Sequence, residues 1–193
     1  MKYTNAWVQT FTGKKATPFT IDADSIDILD IAHSLAMQCR FNGHINTFYS
    51  VAQHSINASY LVYPDIALEA LLHDAAEYLI GDLARPIKQQ VPEYQHLDAL
   101  VTQAINRRFE LRDDPDTIAR VKLADNWLVV AEARRYMRDD LTGDWGLEQP
   151  ELDGDEPPLY WQPIAPDVCR ELFIMRFDEL WAARHDQRDL LDD

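Results

Sequence analysis

The sequence predicts an all-α protein, a single domain built as a bundle of about six helices. Two observations predict it: apolar residues recur at three- and four-residue spacing over most of the chain, and helix start and stop signals bracket those runs. With 193 residues, 47% of them hydrophobic, the chain can bury one sizeable core without staples.

The first twenty residues carry aromatic and β-branched side chains around Gly13-Lys14-Lys15, which suits a short hairpin or an extended arm. From Asp24 the pattern turns helical: Ile28, Ile31, Ala32 and Leu35 share a stripe that runs towards Arg40, and Asn42-Gly43 breaks it. A second helix covers Phe48 to Val62, with Val51, His54, Ser55 and Ala58 on one side. Pro64-Asp65 starts a third, Ile66 to Ile80, which Gly81 ends. Pro86 and Pro92 mark a loop with one short turn, and a further helix spans Tyr94 to Phe109. Pro115-Asp116-Thr117 opens the next, which continues through Val121, Ala124, Asp125 and Leu128 to Met137. Residues 139–166, rich in proline, glycine and acids, read as a long surface excursion whose acidic run Glu151 to Glu156 is solvated. Val168 to Ala183 is a last amphipathic helix, and RHDQRDLLDD reads as a frayed tail. One domain, residues 1–193, is expected, with its functional core at about 27–137.

The formal charge of −15 would repel a phosphate backbone, which argues against polymeric nucleic acid as a partner. A small phosphorylated ligand stays compatible, because a metal and a few local cations override a distant average field. Cys39 and Cys169 fit reduced thiols better than a disulfide framework. No apolar run approaches the roughly 18 to 20 residues of a membrane span, and the first fifteen residues lack a signal core. A cytoplasmic protein is expected.

The stretch His73 to Lys88, HDAAEYLIGDLARPIK, places a histidine, two aspartates and a glutamate within ten residues of an otherwise apolar region. Burying such groups costs several kcal/mol unless something pairs or binds them. On a helix His73 and Glu77 would share one face, surrounded by Leu71, Leu72, Ala75, Ala76 and Leu79. His54 and Asp125 also sit on apolar stripes of their own helices. Together His54, His73, Asp74 and Asp125 offer two imidazoles and two carboxylates, a set that suits one divalent transition ion (Mn, Fe, Co, Ni or Zn) better than an all-oxygen Ca or Mg cage.

These residues resemble a known family. His73-Asp74, with His54 nineteen residues before and Asp125 in Lys122-Leu123-Ala124-Asp125 about fifty residues after, is similar to the H…HD…D pattern of the HD-domain phosphohydrolases. Ala52-Gln53-His54-Ser55, His73-Asp74-Ala75-Ala76-Glu77 and Gly81-Asp82-Leu83-Ala84-Arg85-Pro86-Ile87-Lys88 resemble segments of the subgroup that holds bacterial 5′-deoxynucleotidases and phage dATP triphosphohydrolases. Arg40-Phe41 sits where that subgroup has an arginine and an aromatic residue. Small phage- and prophage-encoded HD proteins with a CRFxGHxxxFYSVAQH-like stretch are similar as well.

The resemblance implies an HD-domain fold with one metal on His54, His73, Asp74 and Asp125. It implies that Glu77 helps activate water and that Asp82 assists catalysis or senses the sugar. Arg40 offers a planar fork for phosphate oxygens, Lys88 a point charge at the rim, and Phe41, Trp7, Phe48 or Tyr49 a ring for the base. The expected activity is hydrolysis of a small deoxynucleotide, either a monophosphate by a 5′-deoxynucleotidase or a dNTP by a triphosphohydrolase. A non-catalytic metal-containing nucleotide-binding protein is the alternative from another class. A phosphodiesterase of signalling nucleotides is a further option, though the extra histidines of two-metal HD sites and a GYP motif are missing from the sequence. For Glu77 the competing role is a buried ion pair with Arg85 or Arg40; for Asp82 it is a cap. His33, His44, His96 and His185 stay outside the set. Relatives pair their subunits, and the apolar helices outnumber what one small core needs, so a homo-oligomer is expected.

Overall fold

A computed structural model describes residues 6–147 and 159–189. Its chain starts with the expected antiparallel hairpin, β1 (Val8–Gln9) and β2 (Lys15–Ala16), turned at Gly13 with φ +85°. Asp30, almost fully buried, locks that hairpin down: its carboxylate accepts from the Thr12 backbone N–H at 2.7 Å and the Thr12 hydroxyl at 2.9 Å.

Eight α-helical segments follow among the described residues, so the chain is the all-α bundle that the patterning predicts, with more breaks than expected. They are α1 (Ile28–Met37), α2 (Val51–Tyr60), α3 (Ala67–Leu71), α4 (Glu77–Ile80), α5 (Arg85–Lys88), α6 (Pro92–Arg108), α7 (Pro115–Tyr136) and α8 (Pro166–Asp189). The starts are written in side chains. Asp27 accepts from Leu29 N at 3.0 Å, Ser50 from Gln53 N at 3.1 Å and Asp114 from Thr117 N at 3.0 Å, each satisfying an otherwise orphaned donor of the first turn.

Helix α1 ends at Met37, short of Arg40, because the chain beyond it pairs with the segment entering α2: Arg40 N donates to Tyr49 O at 2.9 Å and Val51 N to Gln38 O at 3.0 Å. The single helix expected over Ile66 to Ile80 is also interrupted. Residues 72–76 form a turn in which backbone bonds reach back three residues, as in Ala75 N to Leu72 O and Glu77 N to Asp74 O, both 3.0 Å. Apolar periodicity cannot register such tightening, since the side chains keep nearly the same side. The loop after Gly81 contains its one turn, α5.

Helix α2 runs through the centre, with nine of its ten residues buried. Ile31, Leu35, Ile56, Leu68, Leu71, Ile105 and Phe173 form the main core around it, and α8 lies along α1. Two polar side chains of α2 are satisfied by a strap of chain. Gln53 donates to the carbonyls of Tyr160 and Gln162, both at 2.8 Å, and accepts from Ile164 N at 3.0 Å; Asn57 accepts from Tyr160 N at 2.8 Å. Residues 159–164 thus lie at the surface, as expected of this excursion, but are tied by their backbone to the buried polar side chains of α2. The acidic run from Glu151 to Glu156 lies outside the described residues.

Helix α8 continues past Ala183 into the stretch read as a tail, whose last four residues lie outside the described ones. Arg184 explains the continuation: its guanidinium grips both oxygens of the buried Glu69 carboxylate at 2.7 Å. Arg184→Ala leaves that charge without its cation, so we expect a loss of about 3–5 kcal/mol in denaturant unfolding, against little change on removing an exposed pair such as Arg120–Asp116. No helix of the described residues is long and apolar enough to cross a membrane.

Candidate metal centre

Three parts of the bundle converge on one point. His54 comes from the buried middle of α2, His73 and Asp74 from the turn between α3 and α4, and Asp125 from α7. His54 Nε2 lies 3.3 Å from His73 Nε2 and 3.3 Å from Asp125 Oδ1, while His73 Nε2 lies 3.2 Å from Asp74 Oδ2 and 3.9 Å from Asp125 Oδ1. His54, His73 and Asp74 each offer a ligand atom, all within 4.8 Å of one another. Asp125 reaches the same point through its contacts with the two imidazoles.

The far side of each ring fixes what the near side can do. His54 Nδ1 is 2.8 Å from Glu132 Oε1, and His73 Nδ1 is 2.7 Å from the Ala70 carbonyl. A carboxylate and a carbonyl oxygen accept hydrogen bonds, so both protons belong on Nδ1 and both Nε2 atoms present lone pairs to each other and to two carboxylates. Four converging acceptors repel unless a cation stands among them. The His73–Ala70 bond also explains the local turn, because the imidazole takes a carbonyl that a continuing helix would need.

Protonation runs the same way. Burial opposes a charged His73, yet the Asp74 carboxylate beside it and the Asp125 acceptor hold its pKa well above the ordinary imidazole value. For His54, burial and the Arg40 charge are outweighed by Glu132 and Asp125, and its pKa also rises. Burial would raise both aspartates, but the neighbouring imidazoles hold Asp74 and Asp125 well below the usual carboxylate range. The cluster therefore gathers positive charge from whatever can supply it. The mixed nitrogen and oxygen donors fit a borderline divalent ion. Lys122 Nζ at 2.5 Å and Arg85 Nη2 at 3.3 Å occupy Asp125 Oδ2, while Oδ1 faces the two imidazoles.

The uncharacterized protein YfdR of Escherichia coli (strain K12) is 36% identical to the chain over 177 residues, spanning 91% of this chain and 96% of YfdR. The chain belongs to the YfdR family. An uncharacterized protein of Rhodobacter capsulatus is 38% identical over 116 residues, 55% of this chain and 59% of its own length. No family model matches the chain.

In this YfdR-family protein the other predicted site residues fall around the cluster. Arg40 is buried, with Nη1 3.6 Å from Asp74 Oδ2 and Nε 3.5 Å from Glu132 Oε2; despite its burial, these carboxylates keep it charged. Phe41 follows in the left-handed region (φ +54°), as does Asn42 (φ +51°), and the Phe41 ring lies 6.3 Å from that of Trp145. Such backbone costs roughly 1 kcal/mol or more per non-glycine residue, and strain of this kind gathers at functional loops. Of the other rings considered, Trp7 and Phe48 are exposed and Tyr49 is a core residue that accepts from Asn57 at 2.9 Å. His33 stacks on Phe11 of the hairpin, with ring centroids 3.6 Å apart, and His44 is exposed.

Glu77 is buried and makes no ion pair with Arg40 or Arg85 among the described residues; its Oε2 has no hydrogen-bond partner. Burial first, then the charges of Asp74 and Asp82, push its pKa well above the usual value. Asp82 is raised too, chiefly by burial. Its backbone N–H is held by Gln38 at 3.0 Å, and its side chain caps no helix, since α5 starts from Ala84 without a side-chain cap. Lys88 departs from expectation: its ammonium pairs with Asp98 at 3.0 Å and lies 5.6 Å from the Tyr94 ring centre, because α5 packs on α6. Arg85 and Lys122, both partly exposed, are the cations that line the centre's rim.

Glu132 escaped the sequence reading. It lies two turns beyond Asp125 on the same side of α7, among apolar residues, and that spacing was the available signal.

Proposed function

We propose that this protein is a metal-dependent phosphohydrolase of small deoxynucleotides, in keeping with the HD-domain pattern that its sequence resembles. One observation carries the reading: two imidazole lone pairs, 3.3 Å apart and fixed by Nδ1 partners, face two carboxylates beside a buried glutamate with an unpartnered oxygen. His54, His73, Asp74 and Asp125 would hold the ion, which would supply Lewis acidity and water activation at neutral pH.

The remaining steps belong to the chain. Glu77, buried beside the Asp74 and Asp82 carboxylates that raise its pKa, accepts the proton of the attacking water. Arg40 presents its guanidinium to phosphate oxygens at the Asp74 edge, and Arg85 with Lys122 adds positive charge at the rim. Asp82 lies within the field of Arg40 and Lys88, suited to a sugar hydroxyl. Water adds to phosphorus, the bond to the nucleoside oxygen breaks, and that oxygen leaves as a hydroxyl with the proton that Glu77 took from the water. A monophosphate then releases orthophosphate and a triphosphate releases triphosphate, so the product identifies which substrate the site serves.

The test is product release from a panel of dNMPs and dNTPs, supplied in turn with Mn, Co and Zn. We expect orthophosphate or triphosphate from at least one member. A protein that binds nucleotide and metal without turnover would instead be a binding protein, and the proposal would fail.

A further inference from the structure

We propose that Glu132 is a positioning residue that ties the metal ligand His54 to the guanidinium of Arg40. The inference rests on the metal-centre reading above and deepens it. Glu132 has no exposed surface, an expensive place for a carboxylate unless its charge is used. One oxygen, Oε1, accepts from His54 Nδ1 at 2.8 Å. The other, Oε2, faces Arg40 Nε across 3.5 Å, and both of those atoms lack any closer hydrogen-bond partner. Arg40 in turn reaches Asp74 Oδ2 through Nη1 at 3.6 Å. One buried carboxylate thus joins two ligands of the centre through a single arginine.

The arrangement has two consequences. An anionic acceptor on Nδ1 fixes the His54 ring and raises the basicity of Nε2, the atom turned to His73. The loose pair with Nε also orients the guanidinium fork, leaving its outer nitrogens for an anion. Local structure alone would be served by glutamine, which has the same shape and also offers an oxygen to the imidazole N–H. The charge is what glutamine lacks.

Cobalt affinity, measured by competition with a chelating dye on wild type, Glu132→Gln and Glu132→Asp, separates these roles without reference to turnover. We expect Glu132→Gln to lose about 10- to 100-fold in affinity at unchanged fold by circular dichroism, with part of the loss restored in Glu132→Asp. In the zinc-loaded protein the His54 Nδ1 proton gives a downfield resonance that moves upfield in Glu132→Gln. Equal cobalt affinity in wild type and Glu132→Gln, or an unmoved resonance, overturns the role of Glu132 and leaves the metal centre standing. A wild type that binds no cobalt overturns both.

Discussion

If the proposed hydrolysis is right, Glu77→Gln should reduce phosphate release by about 10²- to 10⁴-fold in kcat while the protein keeps its metal. Glutamine preserves the shape of the side chain and removes a buried carboxylate beside the cluster that has an oxygen short of a partner and, unlike Glu132, holds no metal-ligand imidazole. It cannot take a proton from water. Metal content is retained because Glu77 is absent from the convergent donor set. The substitution also has a stability signature. The folded pKa of Glu77 is raised, so in the interval above its unfolded value the unfolded chain releases this proton first, and stability falls as pH rises. Glu77→Gln removes that penalty. In the presence of a chelator the variant should melt higher than wild type near about pH 8, and the difference should vanish near about pH 4. An active Glu77→Gln protein would rule out its role as the base.

Asp74→Asn is expected to abolish tight metal binding, and the proposed turnover with it. Asp74 Oδ2 lies 3.2 Å from His73 Nε2 and 3.8 Å from His54 Nε2, so it is the nearest anion to His73 and faces both imidazoles. The amide keeps an oxygen in place but loses the charge that a divalent ion needs. The loss should exceed the roughly 10- to 100-fold expected for an outer partner such as Glu132. A ligand that binds only the folded state stabilises it by about 2.7 kcal/mol at a hundred times its Kd. Cobalt should therefore raise the melting temperature of wild type and leave that of Asp74→Asn where it was. A shift of equal size in both would remove Asp74 from the ligand set.

Much of this site was legible because polar residues stand out on apolar stripes. His54 on α2 and Asp125 on α7 were recognisable in that way, and the helices carrying them lie where the periodicity puts them. His73 and Asp74 were found for their composition while their local conformation was misread: a turn with backbone bonds three residues back carries nearly the same apolar pattern as a helix. Glu132 shares a helix face with Asp125 but has no motif around it. Its role depends on His54 and Arg40, from elements far away in sequence, and only packing brings them together. The strap over Gln53 and Asn57 is hidden for the same reason, since irregular backbone about a hundred residues distant has no periodicity to betray it. Lys88 shows the converse. The resemblance puts its charge at the site's rim, and the packing of α5 on α6 pairs that charge with Asp98.

The central claim is tested most directly by anomalous diffraction from crystals grown with cobalt. One strong peak should lie about 2.1 Å from both His54 Nε2 and His73 Nε2, with Asp74 and Asp125 oxygens completing its protein ligands. A cobalt-saturated crystal with no density between the two imidazoles, or with the ion held elsewhere, would contradict the account.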